Sequence, residues 1–169
     1  MRKLLDTLYD AAAWLAALAM VGLLAMVLLS ILGRQLHFNL AGTDAYAGYL
    51  MAAAGFLALA HTLKKGEHIR VTLLLAALSG APKRALEIFA LTVATALALL
   101  SAWYACRLSW QSYGFHDIST GNDATPLWIP QLAMAAGTAI LAIAFIDELV
   151  LELRGQRVQA VSDEPLRNE

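Results

Sequence analysis

Lys64-Lys65-Gly66-Glu67-His68-Ile69-Arg70-Val71 holds the densest charge in the first 150 residues of this 169-residue chain. On either side of it the sequence turns apolar. Four blocks, Ala11–Gly33, Ala45–Leu63, Ile88–Cys106 and Ala124–Ile146, contain no Asp, Glu, Lys or Arg. Each is about 20 residues or slightly longer, the length a helix needs to cross a hydrocarbon layer of roughly 30 Å. In lipid each peptide group must be bonded inside its own segment, so such blocks are expected as helices. The alternating pattern of a membrane barrel strand is missing.

Composition agrees. The chain is 60% hydrophobic and 15% charged, whereas soluble domains are nearer half apolar and a quarter charged. A net charge of −1 offers no attraction for nucleic acid. The single Cys106 excludes an internal disulfide and reads as a small packing residue. The first block follows Arg2-Lys3 but is far longer than a signal-peptide core, so it reads as a retained span.

Basic residues set the orientation. Ten of the twelve Lys and Arg fall before the first block, between the second and third, or after the fourth; only Arg34 and Arg107 fall elsewhere. The positive-inside rule then places both termini and the Lys64 loop in the cytoplasm. The expected fold is an all-α integral membrane protein with four transmembrane helices arranged as two hairpins. Its order is a lead-in over 1–10, spans over 11–33, 45–63, 85–106 and 126–146, periplasmic loops over 34–44 and 107–125, a cytoplasmic basic loop over 64–84, and a partly disordered cytoplasmic tail over 147–169. Ile69–Pro82 is apolar but too short to span, and reads as a short interfacial helix on the cytoplasmic face between the second and third spans.

Several smaller expectations follow. Tyr9 and Trp14 stand where an aromatic belt is expected. Gly48, Ala52 and then Ala53-Ala54-Gly55 give the second span a small-residue face, and Ala133 and Gly137 repeat that spacing in the fourth. Glu87, in the first turn of the third span, suits the helix dipole better than a proton-carrying role.

Chemistry is sparse. The phosphate-cradling and dinucleotide glycine motifs and the nucleophile elbow are all missing. His37, His61, His68 and His116 lie in separate regions without metal-helix spacing. The apolar blocks carry no mid-depth acid or base, which solute-moving proteins usually keep inside their spans. This favours an accessory or scaffold subunit that is not an enzyme and needs no cofactor. Two alternatives remain. A stand-alone four-helix transporter would need an acid at mid-span, and a membrane anchor of a redox complex would need paired intramembrane histidines.

The string Phe56-Leu57-Ala58-Leu59-Ala60-His61-Thr62-Leu63-Lys64-Lys65-Gly66-Glu67-His68-Ile69-Arg70-Val71 resembles the small permease subunit, Q, of tripartite ATP-independent periplasmic (TRAP) transporters. Gly33-Arg34 closing the first span, Pro126-Leu127-Trp128-Ile129-Pro130 opening the fourth, and Gly137 within it are similar to that family too. The resemblance covers about residues 5 to 150. Members often carry glutamates just before the second span, where this chain has Thr43-Asp44-Ala45. The resemblance implies a subunit of the bacterial inner membrane that scaffolds a large permease subunit, expected here as a separate polypeptide. It also implies a periplasmic substrate-binding protein that docks outside, and sodium-coupled symport of organic acids such as dicarboxylates. Arg34, Asp44, Arg107, Asp117 and Asp123 are then expected as periplasmic partner contacts, against the plain alternative of hydrated loop charges. Lys64, Lys65, Glu67, His68 and Arg70 are expected to brace the large subunit or meet lipid headgroups on the cytoplasmic face.

Overall fold

The structure, a computed structural model, describes residues 2–38, 40–65, 80–121 and 123–155. Among these residues are four helices: α1 (Arg2–Gln35), α2 (Thr43–Lys64), α3 (Ala81–Phe115) and α4 (Trp128–Leu153). All four are long and apolar enough to cross a membrane. Among the described residues there is no strand, only an isolated antiparallel bridge between Ile118 and Pro126. The interfacial-helix reading, with Glu67, His68 and Arg70, lies outside the described residues.

The first three uncharged blocks each sit within a helix that outruns them, whereas the fourth begins in the loop, its helix starting at Trp128 and running past the block to Leu153. α1 takes in the lead-in without a break, and α3 continues past Arg107 to Phe115. A charged residue ends a span but need not end a helix, because the helical backbone stays bonded once it leaves lipid. The α1–α2 and α3–α4 connections lie at one end of the bundle, here the loop end. The chain start, the end of α2, the start of α3 and the end of α4 share the other, terminal end.

The helices pack in the spatial order α1, α2, α4, α3. The buried positions explain why. α1 buries Tyr9, Ala12, Ala16 and Ala19, one narrow stripe at helical spacing. α3 likewise buries Leu91, Thr95, Ala98, Ala105, Ser109 and Ser112. α4 buries Ala135, Gly137, Thr138, Ala142 and Ala144, positions spread over two faces because it has a neighbour on each side. In lipid there is little hydrophobic gain from bringing helices together, so association depends on close packing of small residues. The interfaces are accordingly built mostly from alanine, serine, threonine and glycine.

The tightest approach is between α2 and α4. A Cβ added at Gly137 would stand 2.5 Å from the carbonyl carbon and oxygen of Phe56. Only glycine lets the two backbones meet there. The other expected small-residue face behaves differently: a Cβ at Gly48 or Gly55 would meet nothing within 4 Å. Of that expected face Ala54 is buried, and the stripe continues through Leu57, Ala60 and Leu63.

Outside these seams the surface is greasy. Trp14, Leu18, Val21 and Leu24 on α1, and Phe89, Leu97, Leu100 and Trp103 on α3, are all exposed. Cys106 is exposed as well, contrary to its reading as a packing residue; the α3 seam uses Ala105 instead.

Candidate functional site

The polar chemistry collects at the two ends. At the loop end, α1 and α3 stop in the same way. The Phe38 N–H reaches back to the Gly33 carbonyl at 3.0 Å, and the Asp117 N–H to the Ser112 carbonyl at 3.0 Å. Each closes the six-residue ring of a Schellman ending. The residue forced into left-handed backbone is His37 (φ 57°) in one and His116 (φ 56°) in the other. Glycine usually fills this position because a Cβ is strained there. Gly33 is required for another reason: a Cβ on it would come 2.8 Å from the Phe38 carbonyl oxygen.

The second loop, running from α3 to α4, folds on itself and then onto α2. The Ser119 N–H donates to the Thr125 carbonyl at 2.8 Å, and the Leu127 N–H to the Asp117 carbonyl at 2.9 Å. Asp123 lies at the centre. Its carboxylate accepts from the Ser119 hydroxyl at 2.8 Å and from the Tyr49 hydroxyl, on α2, at 3.0 Å. The Thr125 hydroxyl pairs with that of Tyr46 at 3.2 Å. Hydrogen bonding from Thr125 first, and also from Ser119 and Tyr49, outweighs partial burial and holds the Asp123 carboxyl down to about 2. Gly42, in left-handed backbone at φ 85°, leaves room for this contact; a Cβ there would sit 2.8 Å from the Asp123 Cβ.

The first loop leaves a cleft of about 680 Å³ between the ends of α1 and α2, lined in part by Arg34, His37, Phe38 and Asp44. The Ser30 hydroxyl donates to Asp44 across it at 3.3 Å. The structure thus brings Arg34 and Asp44 to one cleft. Asp123 is committed to internal hydrogen bonds a short distance away, Asp117 stands at the end of α3, and Arg107 lies two turns earlier on the helix itself.

At the terminal end α1 and α2 are laced by charge. Lys64 Nζ bonds the Asp6 carboxylate and lies 5.5 Å from the centre of the Tyr9 ring. His61 Nδ1 is 3.5 Å from Asp10 Oδ1, an ion-pair distance when the imidazole is protonated. Lys65 is exposed, and its N–H closes the end of α2 on the His61 carbonyl at 3.0 Å. Arg84 donates to the Leu153 carbonyl at 3.2 Å, tying the start of α3 to the end of α4. Tyr9 is not part of an aromatic belt: it is 2% exposed and packs with Ala60, Leu63 and Ala144. Its position one helical turn from Leu5, on the stripe that continues to Ala12 and Ala16, was the sequence signal for burial. No group of three potential metal ligands occurs among the described residues.

Four membrane-length helices, seams of small residues and, among the described residues, charged groups confined to the ends define a multi-pass membrane protein. The family model for the DctQ component of tripartite ATP-independent periplasmic transporters matches residues 23–155, and the chain belongs to that family. It is a small membrane subunit of a TRAP transporter, a transporter component rather than a member of an enzyme family. None of the curated proteins matches the chain at a significant level.

Proposed function

We propose that this subunit is a static scaffold for a separate large permease subunit and part of the docking surface for a periplasmic substrate-binding protein. The pair it supports takes up organic acids, dicarboxylates or other carboxylates, by sodium-coupled symport. The chain sits in the bacterial inner membrane with both termini in the cytoplasm and its loop end in the periplasm. On this reading α1 with α2 and α3 with α4 act as two hairpins. The basic residues at the terminal end, Lys64 and Lys65 among them, brace the large subunit or meet lipid headgroups on the cytoplasmic side. Arg34, Asp44, Arg107 and Asp117 are the loop-end charges available to a docking protein. Asp123 serves it indirectly, by shaping the loop.

The close seam at Gly137 and Phe56 carries the proposal. Where backbones meet at that distance a solute has no room to pass, and the small residues along the other seams act in the same direction. Meanwhile the flanking helices present long apolar faces to lipid or to another membrane protein.

Affinity purification of the tagged chain from membranes tests the scaffold reading. The expected result is a large multispan permease in stoichiometric amount. Solute flux by the purified chain alone in liposomes would overturn it.

A further inference from the structure

We infer that the cleft between the loop-end termini of α1 and α2 is a binding site for the headgroup of a zwitterionic phospholipid bearing a primary ammonium, such as phosphatidylethanolamine. This goes beyond the scaffold reading and needs only that the four helices cross a bilayer.

Depth is the first argument. The uncharged block of α1 stops at Gly33 and that of α2 starts at Ala45. The cleft lies between these limits and spans the step from hydrocarbon to headgroups, a layer about 5–8 Å thick on each side. Leu29 lines it from the apolar side, and Phe38 and Leu40 flank it. All three are exposed, as are Leu32 and Leu36 on the same helix and the turn that follows it. These side chains offer a path for acyl chains leading out of the cleft. A water-soluble partner would have to enter the bilayer to reach Leu29.

Charge complementarity is the second. Arg34 lines the cleft and has no acidic partner among the described residues. Its planar fork suits a phosphodiester, which it can bond through two N–H groups. Asp44 lines the same cleft, and Ser30 takes one of its oxygens. A carboxylate beside a phosphate-binding arginine would repel a purely anionic ligand. It favours one that carries its own cation next to the phosphate. An ammonium with three N–H donors can bond the carboxylate directly, which a quaternary ammonium cannot do.

His37 lines the cleft as well, and its imidazole offers a further N–H donor to a phosphate.

The test uses the subunit purified with whatever membrane partners accompany it, delipidated in detergent and re-exposed to defined lipids. Bound lipid is extracted and quantified by mass spectrometry. Phosphatidylethanolamine should be retained about tenfold over phosphatidylglycerol, the size expected for one charge-assisted contact. R34Q should lower retention about tenfold. D44N should remove the preference between the two lipids, and K83Q, at the terminal end of α3, should change nothing. Inorganic phosphate should not displace the lipid. R34K, which keeps the charge without the fork, reads the same site if R34Q does not fold and should show intermediate retention. Equal retention by wild type and the cleft variants would overturn the proposal. So would a preference for phosphatidylglycerol, displacement by phosphate alone, or loss of a soluble protein partner with lipid unchanged. The scaffold reading fails separately, through absence of the large subunit from the purification.

Discussion

The pair α1 and α2 and the pair α3 and α4 start from one plan. In each, a helix of 34 or 35 residues is followed by a shorter one of 22 or 26. In each, the longer helix stops on a histidine held at positive φ. The shorter helices lie side by side in the centre and the longer ones flank them. The loops are where the pairs part. The first is short and leaves an open cleft. The second is longer, and its Asp123 reaches across to Tyr49 in the other pair. The two pairs are joined along their length: at the terminal end where Tyr9, Ala60 and Leu63 pack with Ala144, at mid-depth through Gly137, and at the loop end through Asp123. The loop with spare length adds a polar clasp to a seam already closed by small residues.

The strongest way to break this arrangement is at the central seam. Gly137→Leu should destabilise the bundle by about 3 kcal/mol, at the upper end of overpacking costs, since the nearest atoms are backbone and cannot swing aside. Thermal unfolding in detergent should show it, and Gly48→Leu, on an open face, should leave the transition in place. A smaller loss, about 2 kcal/mol, is expected for Gly42→Ala, which combines a strained φ with contact against Asp123. An unchanged midpoint would mean that the second loop does not rest on the first.

The two histidines sharpen the comparison by going the other way. His37→Gly and His116→Gly should each stabilise the fold by about 1 kcal/mol through relief of left-handed strain. If the cleft holds a lipid, His37→Gly should weaken its retention while His116→Gly does not. Smaller again is Lys64→Gln at the terminal end, expected to cost about 0.5 kcal/mol, because both Lys64 and Asp6 are largely exposed and solvent screens the pair. Near neutrality acid has no effect on the loop-end clasp. The folded-state value for Asp123 lies below that of a free carboxyl. Its contribution is therefore complete above the ordinary carboxylate range and is lost as pH falls from about 4 through about 2. Limited proteolysis of the 116–127 loop should stay flat from pH 8 to about 5 and rise only below that window. Asp123→Asn should cleave faster from pH 8 to about 5, and the difference should narrow below that window.

Much of the architecture is visible in the amino acids alone. Lipid tolerates no unpaired backbone and few charges, so the four uncharged blocks announce four helices without regard to tertiary detail. Gly137 could be read as a close approach, since small residues at four-residue spacing mark helix seams in lipid. The same rule misread Gly48 and Gly55, because an alanine-rich chain yields that spacing by chance. Helix ends were harder. Arg107 marks the end of the uncharged block, yet nothing in its chemistry stops a helix, and the stop is set by the turn at His116. The clasp could not be read at all. Tyr49 and Asp123 are 74 residues apart, and their pairing depends on which helices become neighbours. Tyr9 was missed because an aromatic near a chain end suits a belt and a core equally well until the position of α4 is known.

α3 also has a mechanical consequence. Thirty-five residues make a rod of about 52 Å, while the oil it crosses is about 30 Å deep. To hide its whole length it would need to lean by about 55°, beyond the roughly 40° limit observed for such rods. Some of it must therefore stand outside the hydrocarbon at all times, among headgroups or beyond them. A sheet that swells or thins by a few ångströms would only slide along this surplus, and the clasped loops above would keep their height over the surface.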